Sequence, residues 1–303
     1  METSNQTSKQ SRLKEVLAVV NNKGGVGKTT TVQSLAVAIT RQDREARVLV
    51  IDLDPQMHLS KQMGWQKGRG RTVYDALREG SGLPVYQVPT RKNGYYQPIT
   101  SDKGIWLCPS TGELADVDAD LVKQLQPIMV LRKCFFKGIE TADVIDGVRY
   151  DGAGPTVPVV FDYVLIDCPG LTKSTCNAMA VANGLLIPTT LEGMSVSGIG
   201  TILNMARKIK EELNPQLVVR GVLPTMTDLR SRIARDILDD LHANPEFDVL
   251  LYQWDKSTKT PKSGIPAVAK MNEAQTQKMS IYDWQPYSAA GMAYEQLCKE
   301  LFG

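Results

Sequence analysis

Asn21-Asn22-Lys23-Gly24-Gly25-Val26-Gly27-Lys28-Thr29-Thr30 gathers three glycines, two lysines and two adjacent hydroxyls into one short stretch. It ends as the phosphate-binding pattern G-x-x-x-x-G-K-[ST] ends, a pattern in which backbone N–H groups cradle phosphates, the lysine reaches the outer phosphates and the hydroxyl meets Mg²⁺. On that reading Lys28 contacts the β- and γ-phosphates, Thr29 turns its hydroxyl to Mg²⁺, and the amides of Gly25, Gly27 and Thr30 surround phosphate oxygens, with Gly24 and Val26 completing the loop. Asn22 stands where the first glycine should be, and Lys23 adds a cation at the mouth. Three carboxylates could join the site. Asp52 and Asp54 share one face of an extended segment, since strand side chains repeat every second residue. Asp167 ends the apolar run Val164-Leu165-Ile166, so its carboxylate emerges at the strand's edge, where it can hold a metal-bound water. The alternatives are a turn residue before Pro55 for Asp54 and a turn-capping aspartate for Asp167.

Such a loop works only between a strand and a helix. Val16-Leu17-Ala18-Val19-Val20 reads as a buried strand. After Lys28, Val32, Leu35, Ala36 and Ile39 recur at helical spacing, which opens a helix whose N-terminal amides and dipole face the phosphates. The same reading predicts strands at 15–21, 47–52, 105–108, 161–167, 184–188, 217–223 and 248–252, and helices at 28–41, 72–78, 196–213, 230–242 and 288–301. This alternation implies an α/β fold with a doubly wound, mostly parallel sheet covered on both faces. Nucleotide then binds at the carboxyl ends of the strands. One domain is expected over 13–303, after a flexible polar tail at 1–12. Residues 69–101 and 132–158 resist the pattern; in the second, Asp151-Gly152-Ala153-Gly154-Pro155 reads as loop.

The loop, with its second lysine, resembles the deviant P-loop of the ParA/MinD superfamily of dimeric ATPases, and further matches extend along nearly the whole chain. Arg47 to Gln56 looks like the family's second strand and first switch, and Phe161 to Pro169 like its metal-side strand and second switch. Asn214-Pro215 with Leu217 to Asp228 is similar to the strand that ends at the nucleobase. Ile265-Pro266 with Asn272-Glu273-Ala274 resembles the late loop, and Tyr287 to Leu301 the closing helix. The DLDPQ form of the first switch is most similar to the Soj-like partition branch.

The resemblance implies a P-loop ATPase with ATP and Mg²⁺ as cofactors. Lys23 then reaches across a homodimer to the partner's nucleotide, so that ATP binding and dimerisation become one event. Asp54 positions the attacking water, Asp52 supports the metal shell and the loop threonines, and Met226, Asp228 and Pro266 approach the nucleobase. Hydrolysis is slow until a ParB-like or other adaptor stimulates it. The ATP dimer binds duplex DNA non-specifically, through Lys256, Lys259, Lys262 and Lys270 as candidates. Two departures stand out: Gly170 replaces a second proline, implying a more mobile second switch, and Ala267 replaces an arginine common in Soj-like relatives. Two other readings remain: a division-site ATPase of the MinD type, which needs an amphipathic tail beyond the last core helix, and an iron–sulfur reductase of the same fold, for which Cys168 and Cys176 would matter.

Composition bounds these readings. With 303 residues, 42% of them apolar, the chain can bury one large core. A net charge of +2 announces no polyanion partner, so basic character is local: Lys61, Lys67, Arg69 and Arg71; Arg230, Arg232 and Arg235; and Lys256 to Lys278. No stretch is apolar enough for a membrane span and Met1 to Ser11 is polar, so a cytosolic protein is expected; the resemblance implies nucleoid association and no membrane partner. Five cysteines without a C-x-x-C pair suggest reduced thiols.

Overall fold

The computed structural model describes the chain apart from residues 1–12, 90, 93–94, 97–102, 123–125, 138, 142–160, 193–194, 247, 256–259 and 286. Its sheet strands are β1 (Glu15–Val19), β2 (Arg47–Asp52), β3 (Leu83–Gln87), β4 (Gly104–Cys108), β5 (Ile139–Thr141), β6 (Tyr163–Asp167), β7 (Gly184–Thr190), β8 (Val218–Thr227) and β9 (Ile265–Pro266). They form one sheet in the order β9-β8-β7-β1-β6-β2-β4-β3-β5. Pairing is parallel except between β3 and β4. β1 is therefore central, with chain on both sides to shield the loop that follows it.

The helices are α1 (Lys28–Gln42), α2 (His58–Gln62), α3 (Val73–Glu79), α4 (Val117–Val122), α5 (Val130–Lys137), α6 (Lys173–Val181), α7 (Ser195–Glu212), α8 (Arg232–Ala243), α9 (Ala269–Thr276), α10 (Ile281–Trp284) and α11 (Ala289–Phe302). They cover both faces, and the strands' alternation sorts their side chains accordingly. Leu17, Val19, Val48, Val50 and Leu165 face Val32, Leu35 and Ile39 of α1 and Tyr294 and Leu297 of α11. Val16, Ala18, Leu49, Ile51, Val164 and Ile166 face the opposite core, with Ala178 of α6 and Ile199 and Ile202 of α7. Each fully buried Leu or Ile here contributes roughly 1.5–3 kcal/mol. Because both faces are covered, the central strands read as continuous apolar runs.

At the sheet's amino edge, Arg220 on β8 donates from Nε and Nη2 to the buried Glu15 on β1 at 2.9 and 2.5 Å. This fork crosses over Gly184 on β7, where any Cβ would collide with the Glu15 carboxylate. The bridge leaves the carboxyl edge free for the site.

The expected elements form within a few residues of their predicted bounds, with one strand as the exception. Residues 248–252 make only an isolated bridge, Val222 to Val249, because the backbone leaves the extended region at Leu251 (φ 57°). Beyond the expected helix α3, the two regions that resisted the pattern also hold regular structure: β3 in the first, and the end of α5 with β5 in the second. β3 was hidden because it pairs antiparallel at the sheet's far side, outside the strand–helix alternation. Residues 142–158 lie outside the described residues, as does the 1–12 tail.

Candidate nucleotide site

Register brings the site together. Val19 pairs with Asp167, and Asp167 with Asp52, so the carboxyl ends of β1, β6 and β2 finish side by side. The loop after β1 turns into α1 through Gly25 (φ 74°) and Gly27 (φ 82°), which caps the helix. A Cβ on Gly27 would make only ordinary contacts, so its backbone conformation, and not lack of space, demands glycine there. Two side chains hold the loop to its neighbours. Asn21 donates from Nδ2 to the Pro188 carbonyl at 2.6 Å while its Oδ1 accepts from the Lys23 N–H. Thr225 at the end of β8 donates to the Val26 carbonyl at 2.9 Å. The side chain of Val26 is buried, so its part in the loop is that of its backbone.

A cleft of about 710 Å³ opens over this edge. Gly24, Gly25, Gly27, Lys28, Thr29 and Thr30 form one wall, Asp54, Gln56, His58 and Gln62 another, and Met226, Pro266, Ala267 and Met271 a third. Thr29 donates from Oγ1 to Asp167 Oδ2 at 2.7 Å. The other oxygen of Asp167 is buried and has no hydrogen-bond partner. Burial, with Asp52 nearby, raises the Asp167 pKa well above the carboxylate range. A buried acceptor with an unused oxygen beside a threonine hydroxyl fits a hard divalent cation, which takes oxygen ligands and keeps part of its water shell. Lys28 extends along the loop, its Nζ donating to the Lys23 carbonyl at 3.0 Å.

Asp52 is braced at both oxygens. Its Oδ2 accepts from Ser60 N and Ser60 Oγ at 2.8 and 2.6 Å, and its Oδ1 from Asp54 N at 3.0 Å. Both oxygens are thus committed to the first switch and α2, and Asp167 is the residue that presents an unused oxygen. Burial pushes Asp52 up to about 6, and the Ser60 bonds oppose that shift. Asp54 lines the cleft and accepts from Gln56 N at 2.9 Å, so it is at once a site residue and a turn residue. Ser60 and Ser110 are additions that pattern did not reveal. Ser60 Oγ also accepts from Ser110 N, and Ser110 Oγ donates to the Asp54 carbonyl at 2.8 Å, a chain of bonds between segments remote in sequence.

Of the nucleobase candidates, Met226 and Pro266 line the cleft, and Met226 holds a left-handed backbone (φ 52°). Asp228 does not line it. Its carboxylate turns outward to Arg230, which donates from Nε and Nη2 at 2.8 and 2.6 Å and pulls its pKa down to about 2. Among the basic candidates, Lys256 and Lys259 lie outside the described residues, Lys262 ends a short hairpin strand (Thr260–Lys262), and Lys270 on α9 is exposed and paired with Glu273 at 2.8 Å. Gly170, the departure in the second switch, is anchored: its carbonyl accepts from Thr175 Oγ1 at 2.6 Å. Cys168 is buried with its thiol turned back on the Ile166 carbonyl, and Cys176 packs against Met205, so they do not present a pair of surface thiols.

A family model described as an AAA domain matches residues 14–219. The sporulation initiation inhibitor protein Soj of Bacillus subtilis is 27% identical over 290 residues, covering 95% of this chain and 98% of its own length. The chain belongs to the ParA/MinD superfamily, on its ParA side. Cobyrinic acid a,c-diamide synthase from Mycobacterium smegmatis, solved with a bound ATP analog and magnesium, is 27% identical with a TM-score of 0.68, covering 95% of this chain and 93% of that one. The Cyanothece McdA(D38A)–ATP complex, at 18% identity, has a TM-score of 0.70 over 97% of this chain and 99% of its own, a likeness of fold. The chain is therefore a P-loop ATPase of the ParA family.

Proposed function

We propose that this chain is a partition or cargo-positioning ATPase that binds ATP and Mg²⁺ in the cleft, closes on a second copy through Lys23, binds duplex DNA non-specifically as that dimer, and is released when an adaptor protein raises its slow hydrolysis. One observation carries the reading. Lys28 lies along the floor of the loop and lines the cleft, whereas Lys23 stands outside the lining residues with 40% of its side chain exposed and its ammonium on Glu192. A cation so placed suits a second subunit's phosphates better than its own.

Lys28 and the loop amides neutralise and orient the phosphates, and the α1 dipole adds to their field. Thr29 and Asp167 are the residues that would hold the metal. A bound Mg²⁺ would supply positive charge that offsets the negative charge building during phosphoryl transfer. Asp54, at the cleft wall on a segment braced by Asp52, Ser60 and Ser110, positions the attacking water. Lys23 from the second subunit adds positive charge in the manner of an arginine finger, a class of contact worth about 10³-fold or more in rate.

Light scattering with ATP tests the dimer: Lys23→Ala should bind nucleotide yet stay monomeric. Asp54→Ala should bind ATP, accumulate as dimer and remain on DNA, because hydrolysis and not binding is lost. Anisotropy with unrelated duplexes should show tighter binding with ATP than with ADP. Normal dimerisation of Lys23→Ala, wild-type stimulated turnover of Asp54→Ala, or equal DNA affinity in both nucleotide states would each remove the corresponding step.

A further inference from the structure

The rim of the P-loop is tied to the end of β7 at two points of different character. Asn21 bonds the Pro188 carbonyl in a buried contact that fixes the loop backbone. Beyond it, Lys23 Nζ donates to Glu192 Oε2 at 2.5 Å, with side-chain exposures of 40% and 68%. Thr190 also bonds the Glu192 carboxylate, and the lysine contact holds that carboxyl below its usual range. The backbone under Lys23 is thus fixed while its ammonium rests on a solvent-exposed acid that it can leave by rotating its own side chain.

We propose that Glu192 is a latch that positions Lys23 within its own subunit and must release it before the lysine can serve the second subunit. The inference rests on the trans role of Lys23. A lysine whose charge is already satisfied gains less from the partner's phosphates, so the latch raises the threshold for closure and disfavours association until nucleotide supplies enough negative charge to compete. An exposed ion pair of this kind shifts its equilibrium by at most about fivefold. Closure opens two latches, one per subunit, so the effect on dimer affinity is up to about 25-fold. Salt screens such a pair, and at 1 M the screening length is about 3 Å, so the effect fades there.

The test is the dimer dissociation constant by analytical ultracentrifugation, in Mg²⁺ and the non-hydrolysable analogue AMPPNP, for wild type, Glu192→Gln, Lys23→Ala and the double variant. Glu192→Gln should dimerise several-fold to about 25-fold more tightly at low salt, with the gain shrinking at 1 M salt. Its ADP affinity, measured at concentrations where the protein is monomeric, should equal wild type. The double variant should remain as monomeric as Lys23→Ala. Unchanged or weaker dimerisation of Glu192→Gln, with Lys23→Ala still monomeric, would overturn the latch and leave the proposed function standing. Wild-type dimerisation of Lys23→Ala would overturn the trans lysine, and the latch with it.

Discussion

The floor of the cleft and its rim are both built from charged groups, and the two are balanced in opposite ways. On the floor, Asp52 and Asp167 are buried neighbours in register, raised in pKa, and hydrogen-bonded by hydroxyls and backbone amides. Around the rim, Lys23 with Glu192, Asp228 with Arg230 and Lys270 with Glu273 are exposed ion pairs. Burying a carboxylate in its charged form costs stability, which the group offsets by keeping a proton or by taking a cation at the site. Exposed pairs are worth little to the fold and exchange partners readily. The proposed nucleotide-and-metal step thus falls in the core, whereas the proposed steps that need a second molecule fall to contacts that separate at small cost.

The largest break in this contrast should come from Lys28→Ala against Lys23→Ala. Losing one partner of a desolvated, charge-assisted contact costs about 2–5 kcal/mol. By calorimetry Lys28→Ala should thus lose about 10²-fold or more in ATP affinity, while monomeric Lys23→Ala keeps its own. Equal losses would mean that floor and rim are one site.

Next in size is the stability effect of the floor. A carboxyl whose pKa is raised on folding keeps a proton that the unfolded chain has released, so stability is fully present below the unfolded value near 3.8 and is lost as pH rises, for Asp52 through about 6. Asp167→Asn keeps an acceptor for Thr29 and removes the buried charge. In EDTA at pH 7.5 it should be more stable than wild type by about 1–3 kcal/mol, the scale of an unsatisfied buried group, and the gain should vanish below pH 4. Urea unfolding across that pH range decides it; a gain independent of pH would refute the electrostatic cause.

Much of the floor was legible in sequence because its chemistry sits on local pattern. Glycines where the backbone turns left-handed, a lysine and threonine opening a helix, and Asp167 closing an apolar run each follow from neighbouring residues. What joins them does not. Ser60 reaches Asp52 because α2 folds back over β2, and Ser110 reaches Ser60 from β4's end, so neither serine has a spacing that marks it. Glu192 meets Lys23 across two parallel strands for the same reason. Asp228 pairs with Arg230 two residues on, a contact that side-chain rotamers and not backbone pattern decide. β3 was missed since its direction departs from the parallel rule that made the other strands readable.

Ser60→Ala sharpens the account of that hidden bracing. It removes a donor to Asp52 and the acceptor of the Ser110 N–H, both in buried surroundings, and should cost about 1–3 kcal/mol. Denaturant midpoints would show it, and turnover should fall with Asp54's support while ATP affinity holds. A change under about 0.5 kcal/mol would mean water substitutes for the hydroxyl.

The smallest stability effect belongs to the rim, and there the functional readout should be the larger one. Lys270 pairs with Glu273 three residues on along α9, and an exposed pair of this kind contributes little to the fold, so Lys270→Ala should leave unfolding almost unmoved. If instead its ammonium moves to a phosphate in the DNA-bound dimer, binding weakens for every sequence alike. With about three phosphate contacts per subunit, log K should fall against log salt with a slope of about −5, and losing Lys270 should flatten it by about one unit per contact, or two per dimer. Asp54→Ala protein with ATP is the appropriate background, since on the proposed function it should hold the dimer without turnover. An unchanged slope on removing Lys270 together with Lys256, Lys259 and Lys262 would shift the DNA surface to Arg230, Arg232 and Arg235. The first of these would then have to give up Asp228, as Lys23 gives up Glu192, so the rim would still act by exchanging an internal acid for an external anion.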